Sequence, residues 1–291
     1  MNLITGASGM VGSAVMEEAC KAKLPIKAMY RNPDEAKRPG ADVATVIADY
    51  ADKESLRKTF DGIAAVYLVC SPMPQLAELE SNAIEVCTEK RVGHVVLSSS
   101  LGAEDYPKSF PSWHRKVEEK LKASGLQYTI LRPNSFMQNL LTAVAPSVRA
   151  KGAFHAAMGD AKVSYIDVQD IGAVVAKVLG GPQAHAGKTY ELNGPEAFSD
   201  ADVAARISRV TGRKVEFVDI PESTQRAAML GQGMPEWLIT ALLDLQRYYT
   251  VEGKGGEVDD VLGRLLGRAP VMLDQFLERN KESFREQTAS A

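Results

Sequence analysis

Residues 4–15 read ITGASGMVGSAV, and the glycines at positions 6, 9 and 12 decide the fold. They follow the apolar run NLIT (2–5) and open the helical pattern VGSAV (11–15). A chain that turns sharply from strand to helix needs residues without a Cβ where the backbone takes positive φ or presses against another backbone. The N–H groups that begin the helix carry partial positive charge, so the same turn is an anion site. The spacing predicts that Gly6 makes the turn after Thr5. It also predicts that Thr5, Gly6 and the amides around Ser8, Gly9, Met10 and Val11 lie against a pyrophosphate, and that Gly12, at the same cofactor site, lets the helix lie close to the strand.

Outward from this turn, short β-branched or apolar runs alternate with helical patterns. The runs are NLIT, PIKAMY (25–30), VATVIAD (43–49), AAVYLV (64–69), GHVVLSS (93–99) and QYTILR (127–132). Between them lie VGSAVMEEACKAK, ESLRKTF, PQLAELESNAIEVCTEK and WHRKVEEKLKAS. Six strands with crossovers predict an α/β fold, a Rossmann-like doubly wound parallel sheet with a smaller C-terminal α/β lobe. A dinucleotide-binding domain is expected over 1–150 and a smaller, mostly helical substrate lobe over 151–291. In the second part KVSYI (162–166), KTYEL (188–192) and KVEFVDI (214–220) read as strands and DVQDIGAVVAKVL (167–179) as a helix. The strand and helix near 162–180 are expected to pack back onto the first domain. EWLITALLDLQRYYT (236–250) and VMLDQFLERNKESFREQ (271–287) read as amphipathic helices joined through a flexible EGKGGE segment (252–257).

Composition excludes several classes. With 45% hydrophobic and 24% charged residues and a formal charge of -3, the 291-residue chain has no basic field to hold nucleic acid. Three cysteines, Cys20, Cys70 and Cys87, form no C-x-x-C pair, so neither a disulfide framework nor a zinc site is expected. The strand-like residues begin at Asn2 and no long apolar run follows, so neither a leader nor a membrane span is expected, and a cytoplasmic monomer or homodimer fits best.

At the end of the second strand, where a carboxylate would accept hydrogen bonds from an unmodified ribose, stands Tyr30-Arg31-Asn32. A guanidinium there pairs with a 2′-phosphate, so NADP is expected in preference to NAD, against the alternative of a solvated arginine at a strand end. Asp49, after the third strand, either accepts from the adenine amino group or caps the next helix. Val69, Cys70 and Ser71 in LVCSP lie at the carboxyl edge of the sheet, where the dinucleotide passes, and Ser98 closes the fifth strand at the same edge.

These residues resemble a known family. GASGMVG (6–12), the arginine after the second strand, VVLSS (95–99) and above all SGLQYTILRPNSFMQN (124–139) are similar to the NmrA-like branch of the atypical short-chain dehydrogenase/reductases. The resemblance continues through VSYIDVQDIGAVVAKVL, GKTYELNGPEAFSDADVA and GMPEWL, so it spans nearly the whole chain. It implies reduction of quinones, azo dyes or triphenylmethane dyes by NADPH, or regulation by dinucleotide binding without turnover. It implies that Pro133, Asn134 and Phe136 line the nicotinamide end of the cleft and that Asp167 and Asp170 anchor the helix that closes the cofactor domain. One departure stands out: counting four back from Lys116 reaches Ser112, where the superfamily's acid/base tyrosine would be.

Without that tyrosine, a small aromatic or quinone-like substrate is the best fit, because its reduced form is stabilised electronically and needs only a modest proton donor. His114, with an ordinary pKa near neutrality, is the candidate donor, or else a partly buried histidine at a helix start. Ser100 is the candidate to polarise a carbonyl, although the spacing does not decide whether Ser99 or Ser100 faces the cleft. Lys116 either contacts ribose or lies on a wet helix face. His155 either faces substrate or does not, and Met229, Met234, Trp237 and Tyr248 either roof a flat pocket or form lobe core. None of the four histidines has a partner at metal-ligand spacing. Two readings follow: a reductase of conjugated acceptors, and a non-catalytic NADP(H) sensor acting through a protein partner. Isomerisation with retained cofactor is a third and loses ground without the tyrosine.

Overall fold

The computed structural model describes residues 1–37 and 43–286. In chain order its strands are β1 (Asn2–Ile4), β2 (Ile26–Tyr30), β3 (Ala44–Ile47), β4 (Ala65–Leu68), β5 (His94–Ser98), β6 (Tyr128–Pro133), β7 (Ala153–Ala156), β8 (Lys188–Leu192) and β9 (Glu216–Asp219). Its helices are α1 (Met10–Lys21), α2 (Lys53–Thr59), α3 (Leu76–Glu89), α4 (Ser109–Ala123), α5 (Ala145–Lys151), α6 (Val168–Gly180), α7 (Asp200–Thr211), α8 (Glu222–Gly231), α9 (Glu236–Thr250), α10 (Val261–Leu266) and α11 (Leu273–Arg279). They form two compact units, and the division does not fall at residue 150. Unit 1 is Met1–Pro133, Val168–Leu192 and Leu265–Gly267; unit 2 is Asn134–Asp167, Asn193–Arg264 and, among the described residues, 268–286.

Unit 1 is a parallel sheet in the order β3-β2-β1-β4-β5-β6-β8. The strand order reverses between β1 and β4, which makes the carboxyl ends of those two strands the switch point where ligands bind in such sheets. KTYEL supplies the seventh strand, β8, beside β6. Helices cover both faces, so the central strands are apolar throughout rather than alternating. Leu3, Val66, Leu68, Val95, Leu97 and Ile130 share one core with Leu56 of α2, Leu76 and Ile84 of α3 and Leu121 of α4. On the opposite face α1 packs against α6. The two helices meet at Gly172, where a Cβ would lie 2.7 Å from the main-chain carbonyl of Ala14.

Unit 2 holds the parallel pair β7 and β9 and most of the remaining helices. KVSYI is not a strand. Val163 bridges to Phe198 and Ile166 to Phe136, while the Ser164 N–H is donated to the Gly255 carbonyl, so three partners replace one ladder. EGKGGE is likewise not a loose tether. The Gly255 carbonyl also accepts from Asn134 Nδ2 at 2.9 Å and Ser164 Oγ at 3.2 Å, and its N–H is donated to the Glu257 carboxylate at 2.7 Å. The long final helix is shorter than expected: α11 stops at Arg279, a 3₁₀ turn follows over Lys281–Phe284, and Gln287 lies outside the described residues.

Candidate functional site

The glycine loop is built without room for side chains. Gly6 has φ +56°, and a Cβ on it would lie 2.8 Å from Val69 Cγ1. A Cβ on Gly12 would lie 2.0 Å from the Gly6 carbonyl oxygen, so α1 starts directly against the turn. The Gly9 N–H is donated to that same oxygen at 2.9 Å. No side chain caps α1, and its first turn holds no acidic residue. The first-turn amides of Met10, Val11 and Gly12 therefore keep their positive end for a ligand, with Ser8, Gly9 and Met10 exposed around them. This cradle fits a pyrophosphate: a bare backbone concavity ending on an uncapped helix of 12 residues.

Thr5 lies beneath the loop, fully buried. Its Oγ1 accepts from the Tyr50 hydroxyl at 2.6 Å and the Val69 N–H at 3.1 Å, and donates to the Tyr67 carbonyl at 2.8 Å. Thr5 was expected to touch the cofactor, but its hydroxyl is spent inside the protein, where it ties β1 to the end of β4. Tyr50, the partner that makes this knot, was not flagged by the sequence, because an aromatic next to an Asp gives no local sign that its hydroxyl turns inward.

Arg31 is exposed at the end of β2. Asp49 does not cap α2: Asp52 does, accepting from the N–H groups of Glu54 and Ser55, while Asp49 closes a turn on the Ala51 N–H at 2.9 Å. Cys70 is half-buried and Ser71 exposed at the carboxyl end of β4. Burial and the neighbouring Glu80 push the Cys70 thiol up to about 12, against a pull from Arg31. Ser98 is buried at the end of β5.

Ser99 and Ser100 differ in their hydrogen-bond partners. Ser99 Oγ is donated to Glu118 Oε1 at 2.7 Å, under α4. Glu118 also receives Arg132 of β6, Nε to Oε1 at 2.9 Å and Nη2 to Oε2 at 2.7 Å. Burial would raise the Glu118 carboxyl, but the hydrogen bonds from Arg132 and Ser99 outweigh it and hold it low. Ser100 keeps a buried hydroxyl with no hydrogen-bond partner among the described residues. Neither Glu118 nor Arg132 stood out in the sequence, since E-E-K on a helix reads as a solvated face.

His114 is a correction. It is buried on α4, and burial pushes its imidazole down to about 4, so it does not titrate near neutrality and stands as a neutral ring at pH 7. The Ser112 hydroxyl is donated to the Ser109 carbonyl at 2.8 Å, and Lys116 is exposed on the wet face of α4. His94 meets Thr129 through Nε2 at 2.9 Å, and His185 meets the Tyr190 hydroxyl at 3.0 Å. Among the described residues no group of three His, Cys, Asp or Glu side chains is placed to hold a metal, and no helix is long and apolar enough to cross a membrane.

Pro133 ends β6 in unit 1. Within unit 2, Asn134 is buried, and its amide reaches Ser164 Oγ, Asn193 Oδ1 and the Gly255 carbonyl at 2.8, 3.0 and 2.9 Å. It is a knot of the lobe, and Phe136 next to it is half-buried on the bridge to Ile166. Asp167, fully buried, accepts from Gln138 Nε2 at 2.7 Å and pairs with Arg279. Asp170 is buried on α6 in unit 1. His155 and Trp237 are exposed, Met229 and Met234 are half-buried, and Tyr248 is buried. An open pocket of about 660 Å³ in unit 2, lined by Met158, Lys162, Asp219, Arg247 and Tyr249 among others, gathers none of the expected cofactor-binding or catalytic residues.

Comparison with known proteins agrees with this geometry. The chain is 33% identical to an NAD(P)H azoreductase of Xenophilus azovorans over 286 residues, 98% of this chain and 99% of that one. It is 32% identical to quinone oxidoreductase 2 of Escherichia coli (strain K12) over 279 residues, 94% and 96% of the two chains. A crystal structure of the NADPH-dependent quinone oxidoreductase of Escherichia coli complexed with NADPH matches with a TM-score of 0.88 at 29% identity, covering 96% of this chain and 99% of that one. The NmrA-like family model matches residues 2–278, and the chain belongs to that family.

Proposed function

We propose that the protein is an NADPH-dependent oxidoreductase that reduces a quinone-like or otherwise conjugated aromatic acceptor. The observation that carries this reading is the bare glycine cradle on the uncapped start of α1, with Arg31 in place of a carboxylate at the end of β2. The azoreductase and quinone oxidoreductase relatives support it. The bound dinucleotide supplies the hydride. The chain's own residues do the rest. The amides of Met10 and Val11 take the pyrophosphate, Arg31 the 2′-phosphate, and the Tyr50–Thr5–Val69 knot holds the end of β4 in place beside them. Ser100, just after β5, offers a hydroxyl with no partner among the described residues to an acceptor oxygen, and the final proton comes through it or from water, since the His114 imidazole, pushed down to about 4, carries no extra proton at neutral pH.

The test is stopped-flow oxidation of bound NADPH by a panel of quinones, azo dyes and triphenylmethane dyes, after fluorescence has established stoichiometric binding. Oxidation above the enzyme-free rate, lost in Gly9→Val, establishes the reductase and names its acceptor. A second reading, an NADP(H) sensor without turnover, is favoured by one observation: Ser112 stands at the tyrosine position with its hydroxyl turned to its own helix. Tight binding with no oxidation by any acceptor selects it.

A further inference from the structure

Glu80 lies midway along α3 with none of its surface open to solvent, and neither carboxyl oxygen has a partner in hydrogen-bonding geometry. A carboxylate so placed is a buried, uncompensated charge, which proteins avoid by keeping the group protonated. Burial pushes this carboxyl up to about 8, opposed by the approach of the Cys70 main-chain N–H. The groups that face it are the Tyr50 phenol from the segment after β3, the Tyr67 phenol from β4 and the Cys70 thiol, each raised by burial and further by Glu80. Cys70 in turn feels Arg31 from β2 and Asp49 from the end of β3. Of the other charges of α3, Glu85 is engaged with Lys53 of α2 and Lys120 of α4 and Glu89 with Arg57 of α2, while Glu78 is exposed.

We propose that Glu80 is a proton-linked positioning residue for the dinucleotide: the pocket takes the cofactor while Glu80 is a neutral acid, and loss of its proton to solvent opposes binding. The inference rests on the cofactor reading above. An ionised Glu80 draws the donors around it, the Cys70 N–H and the Tyr50 hydroxyl. The Tyr50 hydroxyl is the group that holds Thr5, and Thr5 holds Val69. Loosening this knot weakens the grip on a polyanion, and by reciprocity the bound polyanion makes Glu80 harder to ionise.

The experiment is NADPH affinity by fluorescence at pH 7, 8 and 9 for the wild type and Glu80→Gln, which keeps shape and neutrality. The wild-type Kd is expected to rise roughly three- to tenfold from pH 7 to pH 9, and that of Glu80→Gln to stay within about twofold. A flat wild-type profile, or the same rise in both proteins, overturns the proposal. Calorimetry at pH 8 in two buffers of different ionisation enthalpy gives an independent reading on the wild type alone, which serves even where the variant does not fold. Net proton uptake on binding NADPH supports the link, and zero uptake overturns it. Absence of NADPH binding at pH 7 removes the cofactor reading itself, and this inference with it.

Discussion

Arg132 and Glu118 meet in a two-point contact under α4, 2.9 and 2.7 Å apart, with both side chains all but sealed from water. Removal of one partner leaves the other charge buried without its closest counter-ion, Arg132 keeping the more exposed Glu104 and Glu191 and Glu118 keeping Lys122. Glu118→Ala is expected to cost about 3–5 kcal/mol of stability, while the joint change Glu118→Leu with Arg132→Met costs much less than either single change. Urea unfolding of the three variants measures this; equal losses in all three would mean that the pair is not coupled.

The loop glycines separate folding from binding. Gly12→Ala places a Cβ 2.0 Å from a main-chain oxygen, so its cost exceeds the ~1–3 kcal/mol of ordinary overpacking. Gly9 is exposed, and a Cβ there meets nothing closer than 3.2 Å. Gly9→Val is expected to keep its thermal midpoint within a few degrees and to lose NADPH binding, as read by cofactor fluorescence.

Arg31→Asp is expected to weaken NADPH at least about tenfold and to leave NADH nearly unchanged, because only the former carries the 2′-phosphate that the proposed function assigns to Arg31. Parallel titrations with the two nucleotides decide it, and an equal loss for both removes Arg31 from phosphate recognition.

Glu80 makes stability pH-dependent with a defined sign. Its carboxyl lies near 8 in the folded chain against an ordinary 4.5, so the folded state binds the extra proton in between. That stabilisation is complete below about pH 4.5 and fades as the pH climbs through 8, by at most about 1.4 kcal/mol per unit. The difference in urea midpoint between wild type and Glu80→Gln, followed from pH 5 to pH 9, is expected to shift steadily in favour of the variant.

His114 has the opposite sign of shift and a kinetic consequence. With its imidazole near 4, the rate of acceptor reduction is expected to show no step at pH 6.5, and His114→Ala to leave NADPH affinity intact. An inflection near 6.5 that disappears in His114→Ala would restore His114 as the proton donor.

What was legible in the sequence follows from what is local. The turn at Gly6–Gly12 and the strands around it are set by neighbours within a dozen residues, so spacing alone describes them. KVSYI carries a strand-like pattern, but its conformation is decided by Gly255, some ninety residues away, which no window along the chain can see. Glu118 and Glu80 read as ordinary helix-surface acids because their burial comes from β6 and β4, not from the helix that bears them. Thr5 was placed correctly at the strand end, yet its role depended on Tyr50, brought in by the third strand.

The contact of Gly172 with Ala14 ties the order of synthesis to the order of folding. The helix that starts at the glycine turn has its other side covered by a segment translated some 150 residues later. A nascent chain that has completed β6 holds every strand of the switch point but still lacks the segment that covers α1 at Ala14. Completion of α6, rather than of the sheet, is the moment at which the glycine turn gains a rigid backing.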